Sequence, residues 1–191
     1  MKWVLYSNEL FHHGILGQKW GVRRYQNKDG SLTAAGKRRY SNYSKNDSVF
    51  ISGKVSYDKP LSEPMKKEVD SIMKAKSKIL IGDAPGADTR VQEYLAKNKY
   101  RNVVVYTTDE TVRNNVGGWE VKTISGKGKT NEREIRRQKD IAMTNESTRG
   151  FAIMPEDDRP DSAMSLNVDR LIKQEKPIKM FDFNTNKWVY K

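Results

Sequence analysis

Between Ser48 and Phe183 the chain alternates five short apolar runs with stretches of helical periodicity, and this alternation restricts the folds open to it. The runs are SVFISG (48–53), KILIG (78–82), NVVVYTT (102–108), GFAIMP (150–155) and PIKMFDF (177–183). Each is short and continuously apolar, so the pattern predicts strands buried on both faces. Between the first two, Met65, Val69, Ile72 and Met73 recur at helical spacing behind Ser62 as cap, with Pro64 in the first turn. Val91, Tyr94 and Leu95 share one face of a second helix. NEREIRRQKDIAMTNE (131–146) predicts a third, with Asn131 as cap and Glu134 at the capping-box position. DSAMSLNVDRLIKQEK (161–176) predicts a fourth, with Leu166, Leu171 and Ile172 inward. Strands alternating with helices call for right-handed crossovers. The expected fold is α/β: a Rossmann-like open parallel sheet of about five strands with helices on both faces, over residues 48–191, plus a basic N-terminal extension. KWVY (187–190) is a further strand or an edge packing element, and Asp109–Thr130 reads as a loop with some extended structure.

In such a sheet ligands bind beyond the carboxyl ends of the strands, near the point where strand order reverses. The loops in question follow Ser52 and Gly53, the GDAPGADT stretch (82–89), TTDETVRNN (107–115) and PEDDRPDSAMS (155–165). In the second, Gly82 lets the chain leave the strand and Gly86 lets backbone approach a ligand, while Asp83 lies between them. Asp88 or Thr89 is placed to cap the following helix, whose free amides and dipole suit an anion. A plain strand–turn–helix connection accounts for the same glycines. Several chemistries are disfavoured. His12 and His13 are adjacent and the chain has no cysteine, so no metal site is expected. No histidine falls in the α/β region, which leaves no Ser-His-Asp triad there. GKGKT (126–130) has neither the spacing nor the preceding strand of a phosphate-binding P-loop.

The net charge of +12 is unevenly spread: up to Asp47 nine basic residues face three acidic ones. In this segment Trp20 and Tyr25 are apolar anchors, and Arg23 and Arg24 can grip carboxylates or phosphates bidentately. KDGS is a turn, and Ser31 or Thr33 can cap a helical turn through AAGKRRY, which Gly36 weakens. SNYSKNDS (41–48) reads as a linker, so residues 1–47 form a docking or targeting segment and linker ahead of the domain. Its partner is either a protein surface or nucleic acid bound without sequence preference, and a solvated basic leader accounts for the same charge. No stretch approaches the roughly 20 apolar residues of a membrane span, and the chain reads as soluble and intracellular with no membrane partner. Its oligomeric state is open.

The runs VFISG, ILIGDAPGADTRVQEYL, NVVVY, KDIAMTNESTRGFAIMP and SAMSLNVDRLIKQEKPIKMFD, in this order, resemble the SLOG superfamily. Its members are Rossmann-like domains that bind nucleotides or nucleotide-derived ligands, among them the Lonely-guy phosphoribohydrolases and sensor domains of bacterial defence systems. The resemblance implies a ligand site at Ser52, Gly53, Gly82, Asp83, Gly86 and Asp88. Lys139 with Arg136 or Arg137 occupies the place of a basic phosphate-reaching helix. Ser162, Ser165 and Asn167 stand at the final phosphate loop, where Ser162 also serves as a plain N-cap. The Lonely-guy enzymes carry a Pro-Gly-Gly-x-Gly-Thr-x-x-Glu loop whose glutamate does glycosidic chemistry. Here PEDDRPDSAMSLNVDR lacks both the glycines and that glutamate. Asp158 and Asp161 are the candidate substitutes, and the resemblance favours binding over hydrolysis.

HHGILGQKWGVRRYQNKDGSLTAAGKRRY (12–40) resembles a segment shared among otherwise unrelated virion-associated and head-morphogenesis proteins of phages and prophages of Gram-positive bacteria. Together the resemblances imply a phage- or prophage-encoded binder that senses or sequesters a nucleotide or nucleotide-derived signal. Its place would be the bacterial host cytoplasm or the virion, its docking segment would meet a phage structural protein, and no other cofactor is required. An N-glycosidic-bond hydrolase acting on nucleotides or NAD, and a virion protein with a passive Rossmann-like domain, are the alternatives.

Overall fold

The structure is a computed structural model and describes residues 24–40, 42–125 and 131–191. Trp20 and Arg23, expected to dock, lie outside the described residues. The first strand, β1 (Ser48–Gly53), runs into α2 (Glu63–Lys74), then β2 (Lys78–Gly82), α3 (Ala87–Lys97) and β3 (Val103–Thr107). After β4 (Glu120–Thr123) come α4 (Glu132–Glu146), β5 (Arg149–Ile153), α5 (Ala163–Lys173), β6 (Ile178–Asp182) and β7 (Lys187–Tyr190). A short helix, α1 (Ala34–Tyr40), precedes them all. The seven strands form one sheet in the order β4-β3-β2-β1-β5-β6-β7. All pairings are parallel except β6 with β7, which are antiparallel.

The expected α/β sheet is therefore present, with two strands more than the apolar runs announce. β4 is missed because three of its four residues are exposed, so it has no apolar signature. The central strands alternate their side chains between two cores. Val49, Ile51, Ile79, Ile81, Phe151 and Ile153 pack with Met65, Val69 and Ile72 of α2 and with Val91 and Leu95 of α3. Phe50, Leu80, Val104, Ala152 and Met180 pack on the other face with Met143 of α4 and with Met164, Val168 and Leu171 of α5. Two helix starts differ from expectation. Ser62 stands at the N-cap of α2 but makes no capping bond, and its Oγ is buried without a partner. Pro64, in the first turn, has removed one of the amides such a cap would serve. For α3 the cap position is Gly86, and Thr89 Oγ1 instead donates to the Ala84 carbonyl at 3.3 Å.

Because α2 and α3 lie on one face and α5 on the other, the first face carries no crossover helix beside β5, β6 and β7. The N-terminal segment packs there. Tyr40 is 1% exposed, its ring 5.1 Å from that of Tyr190, and its hydroxyl donates to the Lys191 carbonyl. Tyr25 meets Tyr40 edge-on at 5.7 Å, with the Arg24 and Arg39 guanidinium groups over its ring. Gln26 Nε2 donates to the Trp188 carbonyl at 3.0 Å. The stretch after α1, expected to be a linker, is pinned as well. The Tyr43 hydroxyl meets the Glu68 carboxylate, which also takes Lys179 Nζ at 2.8 Å, and the Arg149 guanidinium lies over the Tyr43 ring. Burial, reinforced by the Glu68 charge, holds the Tyr43 phenol well above its ordinary pKa. Among the described residues no helix is long and apolar enough to cross a membrane. Tyr40→Ala is expected to remove about 3 kcal/mol or more of stability, as for other buried aromatics, measured by urea unfolding of the full chain.

Candidate functional site

Strand order sets the place. From β1 the chain moves outward through β2, β3 and β4, then returns to the other side of β1 as β5. The helices following β1 and β5 diverge to opposite faces, which opens a crevice at the carboxyl ends of these two strands.

Its floor is tightly tied. Ser52 is buried at the end of β1, and Gly53 follows it with Ala87 and Ile153 closely apposed. Lys54 N donates to the Ile153 carbonyl at 3.1 Å, and Ala87 N donates to the Lys54 carbonyl at 3.1 Å. Gly86 has φ +82°, and a Cβ there would stand 2.1 Å from the Val55 carbonyl oxygen. Only glycine permits both the left-handed backbone and that approach. The first amide of α3 therefore serves the β1 loop.

Two clusters of polar and charged side chains stand near this floor. One surrounds Lys139, buried on α4. Asp83, fully buried, accepts from Lys139 Nζ at 2.5 Å, Arg113 Nη2 at 2.7 Å and Thr107 Oγ1 at 2.9 Å. Burial works against its charge, but the bonds from Arg113 and Lys139 outweigh it and hold its pKa well below the usual carboxylate range. Asp88 stands over Gly82, close to Lys139. Its burial is the largest influence; Lys139 opposes it, the charges of Asp140 and Asp83 reinforce it, and the pKa is pushed up to about 7. Asp140 is also raised, chiefly by burial, although Lys139 and a bond with Asn167 oppose that. Asn167, itself buried, accepts from Arg170 Nη1 at 2.6 Å.

The second cluster spans the crevice. Lys54 Nζ lies 2.6 Å from Asp158 Oδ1, and Ser162 Oγ donates to Asp158 Oδ2 at 2.5 Å. Ser162 caps α5 by accepting from Ser165 N at 3.0 Å, and its Oγ lies 3.1 Å from Ser165 Oγ. Although burial raises it, the Asp158 pKa is lowered overall by Lys54 and Ser162.

The structure thus brings together Gly82, Asp83, Asp88 and Lys139, and separately Asp158, Ser162 and Ser165. Arg136 is exposed and paired with Glu132 at 2.9 Å, Arg137 is half-buried near Asp140 and Arg170, and Asp161 is exposed opposite Arg133. Arg24 and Tyr25 are engaged with the chain's own aromatics. Sequence reasoning missed Lys54, which directly follows Gly53 and was therefore findable. It also missed Arg113, in a stretch without periodicity, and Asp140. A shallow hollow of about 230 Å³ beside Tyr100 and Trp119 lies at the amino end of β3, away from both clusters. Among the described residues no group of three or more histidine, cysteine, aspartate or glutamate side chains could hold a metal ion.

Comparison with protein-family models, with curated proteins and with solved structures gives no match in any of the three.

Asp88 keeps its proton to higher pH in the folded chain than in the unfolded one, so its contribution to stability falls as pH rises from about 4 to about 7. Asparagine cannot ionise. Asp88→Asn is therefore expected to gain stability relative to the parent across this window, by about 1 kcal/mol or more, and to hold a constant difference above it. Urea midpoints of both proteins at about pH 5 and about pH 8 check this.

Proposed function

We propose that this protein binds a nucleotide or nucleotide-derived signal in the crevice between β1 and β5, without turning it over. In this reading it is a phage- or prophage-encoded sensor or sequestering protein, acting in the host cytoplasm or carried in the virion. Residues 12–40 serve as its docking segment for a phage structural protein. The observation that carries the ligand reading is the reversal of strand order at β1, with Lys54 and the first turn of α5 on the two sides of the opening. A cation and a helix start facing each other across a switch point suit a phosphate. The resemblance to the SLOG superfamily supports the same ligand class, and the resemblance of residues 12–40 supports the phage setting.

The candidate acids favour binding over hydrolysis. Asp158 is ion-paired with a lowered pKa that makes it a poor proton donor near neutrality, while Asp161 is exposed opposite Arg133. A second reading, hydrolysis of an N-glycosidic bond, rests on Asp88, whose proton is held to about pH 7.

Calorimetry with 5′-AMP and with NAD, coupled to chromatography for free base, tests both readings. Binding without base release is expected, weakened about ten-fold or more in Lys54→Ala, a loss of about 1.4 kcal/mol. Base release that disappears in Asp88→Asn would establish the hydrolase instead. Failure to bind either nucleotide would leave the domain as a passive carrier.

A further inference from the structure

Asp158 belongs to the loop between β5 and α5, whose residues around it are largely exposed, yet its own side chain is only 7% exposed. It is satisfied from two directions: the ammonium of Lys54 on the β1 loop and the hydroxyl of Ser162 at the start of α5. Ammonium and hydroxyl donors converging on one small group form a receptor for a tetrahedral or planar oxyanion. Both donors belong to elements outside the loop's tip, and they come from opposite sides of the crevice. They remain in place if the tip moves.

We infer that Lys54 and Ser162 form an anion subsite for a phosphoryl group, and that in the unliganded protein the carboxylate of Asp158 fills it as an internal competitor. Ligand binding exchanges one anion for another: the phosphoryl group takes the ammonium and hydroxyl, and Asp158 leaves with its loop. The inference rests on the crevice being the ligand site and names the part of it that takes the phosphate. It reverses the expectation for Asp158. A residue that contacts ligand or donates a proton loses function when neutralised, whereas a competitor gains affinity for the probe.

Inorganic pyrophosphate is the probe. Asp158→Asn is expected to bind it at least about ten-fold tighter than the parent. Asp158→Glu keeps the competing charge and is expected to stay weak. Adding Lys54→Met to Asp158→Asn is expected to abolish the gain. A measurement on the unaltered chain guards against misfolding of the variants: saturating pyrophosphate is expected to speed amide hydrogen exchange in residues 155–161, since the loop is released. Pyrophosphate binding by Asp158→Asn that is no tighter than the parent's, or slower exchange in that loop on binding, overturns the inference. If Asp158→Asn gains pyrophosphate but neither protein takes 5′-AMP or NAD, the subsite stands and the nucleotide reading falls.

Discussion

Asp83 is a carboxylate with no exposure, set where β2 ends, and three structural elements converge on it. Lys139 reaches it from α4, Thr107 from the end of β3, and Arg113 from the long connection to β4. An ionised carboxylate in an apolar interior is costly unless its lone pairs are matched. Here two cations and a hydroxyl match them, and the demand fixes where each element must lie. Gln92 on α3 acts alongside: its amide donates to the Gly82 carbonyl at 2.9 Å and accepts from Val116 N at 3.0 Å. The irregular stretch after β3 is thus positioned by side chains from its neighbours. Removing one member of the Asp83 set would strand a buried charge, so the cluster is better read as a constraint on geometry than as a reserve of stability.

A second constraint comes from topology. Right-handed crossovers that move outward from β1 leave one face of β5, β6 and β7 without a helix. That area carries Phe151, Phe181, Trp188 and Tyr190, which could not remain open to water without a large exposed apolar patch. The segment from Tyr25 to Tyr43 packs against this side, with tyrosines inward and arginines over their rings. Gly36 belongs to this arrangement. A Cβ there would stand 2.0 Å from the Tyr25 carbonyl oxygen, so the residue that weakens α1 in isolation is the one that lets it fold back on the segment before it.

Five strands and four helices were legible because each carries a periodicity that burial imposes on it. The fragments that escaped lack such a pattern for identifiable reasons. β4 is an exposed edge whose residues pack on little. SNYSKNDS reads as a linker because its order depends on a partner more than twenty residues away: Tyr43 is held by Glu68, which no local rule connects to it. The site divides in the same way. Gly82, Gly86 and Asp88 stand out from their neighbours, since a strand-to-helix turn needs special backbone. The chemical state of Asp83 and Asp88 does not, because it is set by distant parts of the chain: burial pushes Asp88 up, while Arg113 from the β3–β4 connection and Lys139 from α4 overcome the burial of Asp83 and hold it down.

Charge and topology together separate two regions of the molecule. The aromatic and guanidinium contacts of the N-terminal segment fall near the amino ends of β5 and β6: Arg39 Nη2 donates to the Glu175 carbonyl at 2.7 Å and Arg149 Nη1 to that of Asn42 at 3.0 Å. Lys54, Asp158 and Ser162 stand at the carboxyl ends, across the length of the strands. A β5 strand of five residues places those ends roughly 15 Å apart at the rise of parallel strands. That exceeds the Debye length of about 8 Å at physiological ionic strength, so the basic segment does little through solvent to attract or repel an anion in the crevice. Under the proposed reading, selectivity in the crevice must come from the few groups that would touch the anion.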